Sequence, residues 1–398
     1  MTRWLLAVAL ATLGCDSGPY TLGRDLLPSA GELEPLPWFG GPDYHGAWPR
    51  GYPSDSSYFP IGVWMQNPAN AERFTAVGVN HYVGLWQGPT DEQLANARAA
   101  DMPVVCEQAG VWEANLDDAG IQGWLQADGP DNAQELPDGS YGPCIEPAVT
   151  RARYDEMVAA DPSRPVMLLL GQGVATPDWV GRGDCTGRTD DYFGYSESAD
   201  ILVNYTYPVA NQEPIELVAT GIANLNTYAN WKKPVIADIE ASSIRGLPRP
   251  SPEQLRAEVW MSLIHGAAGI QYFCHRMTPL NETDCLDDAA TAAALERINR
   301  ELLDLAPALN TQSYGLNPSS TNDGVPVRAV LKRLGGERYV FAAGMADAAT
   351  TATFRLPDLA ASARIEVIGE RRVIAPSEGA FEDAFAAYAV HLYRIPPG

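Results

Sequence analysis

The chain has 398 residues, of which 46% are hydrophobic and 9% aromatic, so it can bury a substantial core. Its formal net charge of −23 argues against nucleic acid or an anionic membrane surface as a partner. The 10 Trp and 17 Tyr residues are many for this length and can supply flat, amphipathic binding surfaces.

The N-terminal segment 1–15 is expected to direct export rather than to belong to the fold. One basic residue, Arg3, precedes a short apolar run that ends in Gly14 and Cys15. The run is too short to span a bilayer and is typical of a signal peptide. It resembles a bacterial lipoprotein signal, with Thr12 in place of the usual Leu, so Cys15 is the expected lipidated residue. We expect a protein anchored by lipid to the bacterial envelope; the alternative is a secreted or periplasmic protein.

Eight apolar runs follow residue 55 at regular spacing, at 60–66, 81–86, 102–107, 121–126, 165–171, 200–205, 233–241 and 269–275. Helix-compatible segments lie between them at 68–77, 90–100, 146–160, 212–229 and 251–266, two of which open with the capping residues Thr90 and Ser251. Strands that alternate with helices indicate βαβ units, and eight of them favour a closed (β/α)8 barrel. No Gly-x-Gly-x-x-Gly follows any of these strands, which argues against a dinucleotide-binding sheet.

The pattern changes in the C-terminal part of the chain. A long helix is expected over residues 287–305, and a loop rich in Asn, Ser, Thr and Gly follows it. Apolar residues then recur at every second position within 325–333, 338–343, 351–356, 364–368 and 388–394. This period is typical of antiparallel strands, so we expect a small β-sandwich packed on the barrel. The expected α/β organisation is a signal segment (1–15), a tether with an N-terminal loop (16–54), a TIM barrel (55–310) and the β-sandwich (325–398).

Five cysteines follow the signal segment, and export favours disulfides among them. Cys274 and Cys285 flank one loop, while Cys144 and Cys185 lie in polar, Gly-rich loops, so these are the expected pairs. Cys106 sits in an apolar strand and is expected to be a free, buried thiol. No cysteine spacing resembles a zinc site.

The seventh expected strand, 233–241, carries two acids at its end. Residues two apart in a strand share a face, so Asp238 and Glu240 point one way while Ala237 and Ile239 point the other. Two inward carboxylates cost free energy and are tolerated most readily where a strand opens into a polar cleft. The alternative is an exposed edge strand with solvated acids, and the place of this strand in the series of eight argues against it.

Barrel active sites lie at the C-terminal ends of the strands. Acids and aromatic residues dominate these ends, and the sequence shows no metal-ligand triad and no Ser/His pair there. Aromatic faces stack on sugar rings, and acids bind hydroxyl groups or perform acid–base and nucleophilic work. We therefore expect a poly- or oligosaccharide partner, no cofactor and no metal. The substrate-binding candidates are Trp64, Trp86, Glu107, Asp131, Tyr207, Asp238 and His275.

The residues at the ends of two expected strands resemble those of a known family. Glu240 ends the seventh expected strand, and Asp128, Gly129 and Pro130 follow the fourth. The barrel resembles the clan A retaining glycoside hydrolases, which carry an acid/base Glu after strand four, within Asn/Asp-Glu-Pro, and a nucleophile Glu after strand seven. The resemblance implies hydrolysis of an O-glycosidic bond, with Glu240 as the nucleophile.

The sequence departs from this family at Gly129, which occupies the position of the acid/base Glu. Retaining hydrolysis uses two carboxyls about 5–5.5 Å apart, and inverting hydrolysis uses a pair about 6.5–9.5 Å apart. A displaced carboxylate from Asp128, Asp131 or Glu107 must then supply the proton, and Asp128 is our catalytic candidate beside Glu240. The alternative is a surface lipoprotein that binds carbohydrate on the same barrel with weak or no hydrolysis.

The remaining roles follow from position. The resemblance implies that Tyr207 donates a hydrogen bond that orients Glu240. His275 and Trp86 are expected walls of the sugar subsite. Asp238 has two interpretations, a substrate contact or a buried acid bonded to a neighbouring strand.

Overall fold

The computed structural model describes residues 33–108 and 110–397 of the chain. Cys15 and the rest of the expected signal segment lie outside the described residues. A closed barrel is followed by two antiparallel sheets, which confirms the predicted TIM barrel with a C-terminal β domain.

Eight parallel strands close the barrel in sequence order. Each lies within, or within two residues of, one of the eight apolar runs. They are β1 (Ile61–Gln66), β2 (His81–Leu85), β3 (Val104–Glu107), β4 (Ile121–Asp128), β5 (Val166–Leu170), β6 (Ile201–Tyr205), β7 (Val235–Glu240) and β8 (Gly269–Phe273).

Helices surround the barrel and precede it. Capping boxes close the starts of two of them, where the side chains of Thr90 and Ser251 accept N–H bonds as the sequence predicts. The helices are α1 (Gly41–His45), α2 (Ala71–Ala76), α3 (Asp91–Ala99), α4 (Pro147–Ala160), α5 (Asp191–Ser196), α6 (Pro208–Asn211), α7 (Leu217–Tyr228), α8 (Pro252–Ile264), α9 (Asp284–Asp287) and α10 (Ala289–Leu309).

Two apolar layers hold the barrel together. The interior layer is filled by side chains from the inner faces of the strands, including Val83, Val105, Leu125, Leu169 and Ile236. The outer layer lies between the strands and the helices and forms a larger core. Because both faces of a barrel strand are buried, these strands read as nearly continuous apolar runs, and this is why they were recognisable in the sequence.

The C-terminal domain is built from two antiparallel sheets that share one core. Phe354 and Phe381 stack with ring centroids 4.6 Å apart, and Tyr393 of the other sheet packs against both. The strands are β11 (Tyr314–Leu316), β12 (Ser319–Ser320), β13 (Val327–Leu334), β14 (Glu337–Gly344), β15 (Thr350–Arg355), β16 (Ile365–Val367), β17 (Arg372–Ile374), β18 (Ala380–Phe385) and β19 (Val390–Ile395), after a short hairpin of β9 (Arg276–Met277) and β10 (Leu280–Asn281). Sequence reasoning missed the short strands β9, β10, β11 and β12 as well as β17 and β18.

Helix α8 joins the two domains. Trp260 of this helix packs on Phe341 of β14 with ring centroids 5.0 Å apart, and Arg256 donates to the carbonyl of Val390 at 2.9 Å. Lys332 of β13 makes a second link. It is 4% exposed, and its Nζ donates to the carbonyls of Leu309 and Thr311, at the end of α10, at 2.8 and 2.7 Å.

Replacing Lys332 with Met is expected to weaken this junction. The variant keeps the apolar stem but leaves two carbonyls near the C-terminus of α10 without their donor. An unpaired buried polar group costs about 1–3 kcal/mol, so we expect a loss of roughly 2–4 kcal/mol in the free energy of unfolding, measured by urea denaturation. Lys232→Met, at an exposed site, is the matched control. Equal stability of the two variants would contradict this role of Lys332.

Both predicted disulfides are present, Cys144–Cys185 and Cys274–Cys285, and Cys106 is free and buried. Two disulfides indicate an oxidising compartment outside the cytoplasm. Among the described residues, no helix combines the length and the apolar character needed to cross a membrane. The lipid anchor on Cys15 stays a prediction.

Candidate active site

Several of the predicted residues lie at the C-terminal ends of the barrel strands, and we call this end of the barrel the mouth. Ile236 of β7 packs in the interior layer, whereas Val235, Ala237 and Ile239 pack in the outer layer. Alternation therefore directs Asp238 into the barrel. Within the ranges 33–108 and 110–397, no group of three or more His, Cys, Asp or Glu side chains could hold a metal ion.

Asp238 lies at the floor of the mouth. The strand register places Tyr205 of β6 and Gln271 of β8 on either side of it, and Gln271 donates to its Oδ2 at 2.6 Å. Its Oδ1 has no partner at ordinary hydrogen-bond geometry among the described residues, although the Tyr207 hydroxyl lies near enough to affect the acid. Burial raises the pKa of Asp238 well above its usual range, Gln271 opposes the rise, and the charge of Asp128 adds to it. Burial therefore favours the protonated form of Asp238.

Asp128, the last residue of β4, is exposed at this mouth. Protein atoms crowd it nevertheless, and this burial, with a smaller contribution from the charge of Asp131, raises the pKa of Asp128 to about 6. Its charge also contributes to the raised pKa of Tyr205 and of Asp238. Asp128 and Asp238 thus lie at the C-terminal ends of β4 and β7; burial raises the pKa of both, and Asp128 is the more accessible of the two.

An arc of aromatic rings borders these acids. Successive ring centroids lie 5.2–5.8 Å apart along the whole series. All the rings except the buried imidazole are partly exposed. Flat, partly exposed rings are suited to stacking on sugar faces. We call this series the aromatic arc; its members are Tyr205, Tyr207, Phe273, Trp64, His275 and Trp86.

Glu240 does not open into the mouth. It is fully buried, and its two carboxylate oxygens accept the backbone N–H groups of Val209 and Ala210, at the start of α6, at 2.6 and 2.9 Å. Burial raises the pKa of Glu240 to about 7, and the charge of Glu240 adds to the raised pKa of the buried Glu258 on α8. Both oxygens of Glu240 are thus engaged by backbone N–H groups, and its role as the nucleophile stays a prediction.

Three other predicted residues have distinct surroundings. Asp131 is buried, and its carboxylate accepts the N–H of Gly171 and the hydroxyl of Tyr192, so it holds the loop after β4 rather than a substrate. His275 is also buried, and burial lowers the pKa of its ring, so it is a neutral, buried member of the aromatic arc. Glu107 is half-buried at the end of β3 and shares the inward face of Val105, so it remains a candidate for binding substrate hydroxyls.

Gly129 occupies a position in the turn after β4 where the backbone and its surroundings require glycine. Its φ of +56° lies in the left-handed region, and a Cβ added there would lie 2.2 Å from the Tyr205 hydroxyl oxygen. That hydroxyl accepts a hydrogen bond from the Asn132 side chain at 2.6 Å. The space that a glutamate side chain needs is therefore filled by Tyr205, and the turn after β4 is built around glycine.

Replacing Gly129 with Ala is expected to displace Tyr205 and lower activity on glycosides. The left-handed backbone costs about 1 kcal/mol with Ala, and the clash adds to it, for a total loss of roughly 2–3 kcal/mol in the free energy of unfolding. Gly335→Ala is the matched control, because Gly335 has φ +60° with nothing within 4 Å of the added Cβ. The two variants share the cost of the left-handed backbone, so the difference between their free energies of unfolding gives the cost of the clash. Equal losses in the free energy of unfolding would show that the Tyr205 side chain moves aside without a cost in stability.

Sequence reasoning missed three residues of the mouth. Phe273 completes the aromatic arc, and its position two residues before His275 was the available signal. Gln271 binds Asp238 across the strand pair, which no spacing in the sequence reveals. Glu213, in the loop after α6, is half-buried and accepts a hydrogen bond from the Gln172 side chain at 2.6 Å.

Comparison with solved structures finds this architecture in glycoside-hydrolase structures. A candidate α-galactosidase/melibiase from Bacteroides fragilis NCTC 9343 aligns with a TM-score of 0.52 at 9% identity, over 85% of this chain and 79% of that one. A glucosidase from Croceicoccus marinus aligns with a TM-score of 0.47 at 11% identity, over 93% and 98%. An endoxylanase of glycoside hydrolase family 30 from Clostridium papyrosolvens C71 aligns with a TM-score of 0.48 at 11% identity, over 88% and 97%. The sequence matches no protein-family model and no curated protein. The resemblance predicted from the sequence is confirmed for the fold, and this chain has a glycosidase-like barrel.

Proposed function

We propose that the chain hydrolyses an O-glycosidic bond of a poly- or oligosaccharide at the barrel mouth. The observation that carries the proposal is that two carboxyls with raised pKa values, Asp128 and Asp238, occur at the same end of the barrel as the aromatic arc. Asp128 is accessible and ionised above about pH 6, and burial favours the protonated form of Asp238. A pair of carboxyls with separated pKa values is what glycoside hydrolysis requires.

In the proposed reaction, the Asp128 carboxylate attacks the anomeric carbon while the glycosidic bond breaks. The leaving-group oxygen takes the proton of Asp238. Asp238, now a carboxylate, then removes a proton from water as the water oxygen attacks the anomeric carbon, and the ester to Asp128 is released. Glu240 fixes the start of α6, next to Tyr207, and takes no part in bond making.

The binding role of the mouth follows from the aromatic arc. Rings on β1, β6 and β8 supply flat surfaces around the two acids, and Glu107 supplies a further acceptor for hydroxyl groups. The proposed partner is a neutral saccharide, in keeping with a net charge of −23 and an acidic mouth. The proposed location is outside the cytoplasm, with the lipid on Cys15 as the membrane attachment.

The test uses a panel of dinitrophenyl glycosides, assayed with and without azide. These substrates need no acid for the first step, and azide can replace a missing general base. We expect turnover that azide does not accelerate, because Asp238 serves as the base. Turnover that depends on azide would show that Asp238 is too enclosed to act. Binding of saccharides without turnover across the panel would replace the hydrolase with a carbohydrate-binding protein, the outcome that the 1% exposure of Asp238 would then explain.

A further inference from the structure

A hairpin rises from the barrel directly after Asp128. Its two legs meet at residues 130 and 145, where the N–H of Ile145 donates to the carbonyl of Pro130 at 2.8 Å. The Gln134 side chain donates to the carbonyls of Gly129 and Asn132 at 3.2 and 2.7 Å. The base of this hairpin, residues 130–145, is therefore bonded to the same turn that carries the proposed nucleophile.

The hairpin is ordered by its own contacts. Glu135 and Tyr141 pair across it, and the N–H of Leu136 donates to the carbonyl of Ser140 at 2.8 Å. Asp138 closes the tip by accepting both the N–H and the hydroxyl of Ser140. The disulfide from Cys144 to Cys185 ties the return leg to the loop after β5. The side chains on this hairpin are thus displayed on a fixed backbone.

Tyr141 stands out among the displayed side chains. It is 70% exposed, against 42% for Phe39 and 44% for Phe193, the other aromatic residues with a mostly open surface among the described part of the chain. Glu135, also exposed, is its direct cross-strand partner, and directly paired residues share one face of a hairpin. An open ring beside a carboxylate offers a stacking surface together with a hydroxyl acceptor. A stacking surface and a hydroxyl acceptor are also the two features by which the mouth is proposed to bind sugar.

We propose that Tyr141 and Glu135 form a distal subsite for a neutral sugar unit of the oligosaccharide whose reacting unit occupies the mouth. The inference rests on the proposed function and extends it, because it makes the chain an enzyme that favours longer substrates. The occupant is argued from continuity, because the hairpin starts at the turn after Asp128 and therefore lies at the same end of the barrel as the mouth.

The experiment compares Tyr141→Ala with the parent chain on two substrates of one sugar, a dinitrophenyl monoglycoside and a tetrasaccharide. We expect kcat/KM on the tetrasaccharide to fall roughly three- to tenfold, mainly through KM, as one lost stacking contact implies. The monoglycoside should be hydrolysed at the parent rate. Tyr141→Phe should restore the tetrasaccharide rate, and Phe39→Ala, another open aromatic site, should leave both rates unchanged.

Equal losses on both substrates would overturn the inference, because the hairpin would then only support the mouth. An unchanged tetrasaccharide rate would overturn it as well. If the parent chain hydrolyses nothing, calorimetry with maltotetraose, cellotetraose and xylotetraose separates the two proposals. If a tetrasaccharide binds the parent chain more tightly than it binds Tyr141→Ala, the subsite stands and the hydrolase is rejected. If no tetrasaccharide binds either protein, the subsite and the hydrolase are both rejected.

Discussion

Asp128→Asn should abolish hydrolysis while leaving the fold intact. The amide keeps the size and position of the carboxylate but cannot attack the anomeric carbon. Loss of a catalytic nucleophile lowers kcat by roughly 10³-fold or more, and we expect a loss of this order on dinitrophenyl glycosides. Binding of the saccharide, measured by calorimetry, should be nearly unchanged, because the aromatic arc is untouched.

The pH dependence of the parent chain tests the same residue. Burial, with help from the charge of Asp131, raises the pKa of Asp128 to about 6, and the nucleophile is the ionised form. Below this pH the carboxylate is protonated, so kcat/KM should fall about tenfold for each unit of pH. The matched control is Asp101→Asn, an exposed turn residue after α3, which should keep both the rate and the profile. Full activity of Asp128→Asn would exclude Asp128 as the nucleophile.

Asp238→Asn should separate the two chemical steps. Removal of a general acid and base costs roughly 10²–10⁴-fold in rate, and this loss should be largest on substrates with poor leaving groups. Dinitrophenyl glycosides need no proton for the first step, so they should accumulate the glycosyl-enzyme in this variant. Azide should then speed turnover and give a glycosyl azide. A uniform loss on all substrates, without any effect of azide, would assign Asp238 a purely structural role.

The same variant should be more stable than the parent at neutral pH. Burial raises the pKa of Asp238 in the folded chain, whereas an unfolded Asp ionises near pH 4. Between these values the unfolded state releases a proton that the folded state keeps, so this group lowers the free energy of unfolding as the pH rises. Asn has no proton to release. The difference in stability between variant and parent should therefore grow from pH 4 towards pH 8. A constant difference would show that Asp238 is not held protonated.

The barrel could be predicted from the sequence because its strands are buried on both faces. Apolar runs such as 166–170 and 201–203 leave little choice of structure, and the capping residue Ser251 marks where a helix begins. The last strands of the sandwich carry a weaker signal. β17 (Arg372–Ile374) has three residues, none fully buried, and β18 (Ala380–Phe385) places acids at two of its six positions.

The site could be predicted only as far as the ends of the strands. The alternation of side chains along β7 correctly predicts that Asp238 points into the barrel, but it predicts the same for Glu240, two residues later. The surroundings of Glu240 are decided by the backbone at the start of α6, where the N–H groups of Val209 and Ala210 donate to its two oxygens. Likewise, the reason for Gly129 lies in the Tyr205 hydroxyl, 76 positions away in the sequence and close only in the folded chain.

The most direct test of the account is covalent trapping of the nucleophile. Dinitrophenyl glycosides of deoxyfluoro sugars, in which fluorine replaces the hydroxyl next to the anomeric carbon, form a glycosyl-enzyme that hydrolyses slowly. Intact-mass spectrometry detects the adduct, and peptide mapping locates it. The account predicts a single label on Asp128 that Asp128→Asn cannot acquire. A label on Glu240, or no label together with no release of dinitrophenolate from any sugar tested, would contradict it.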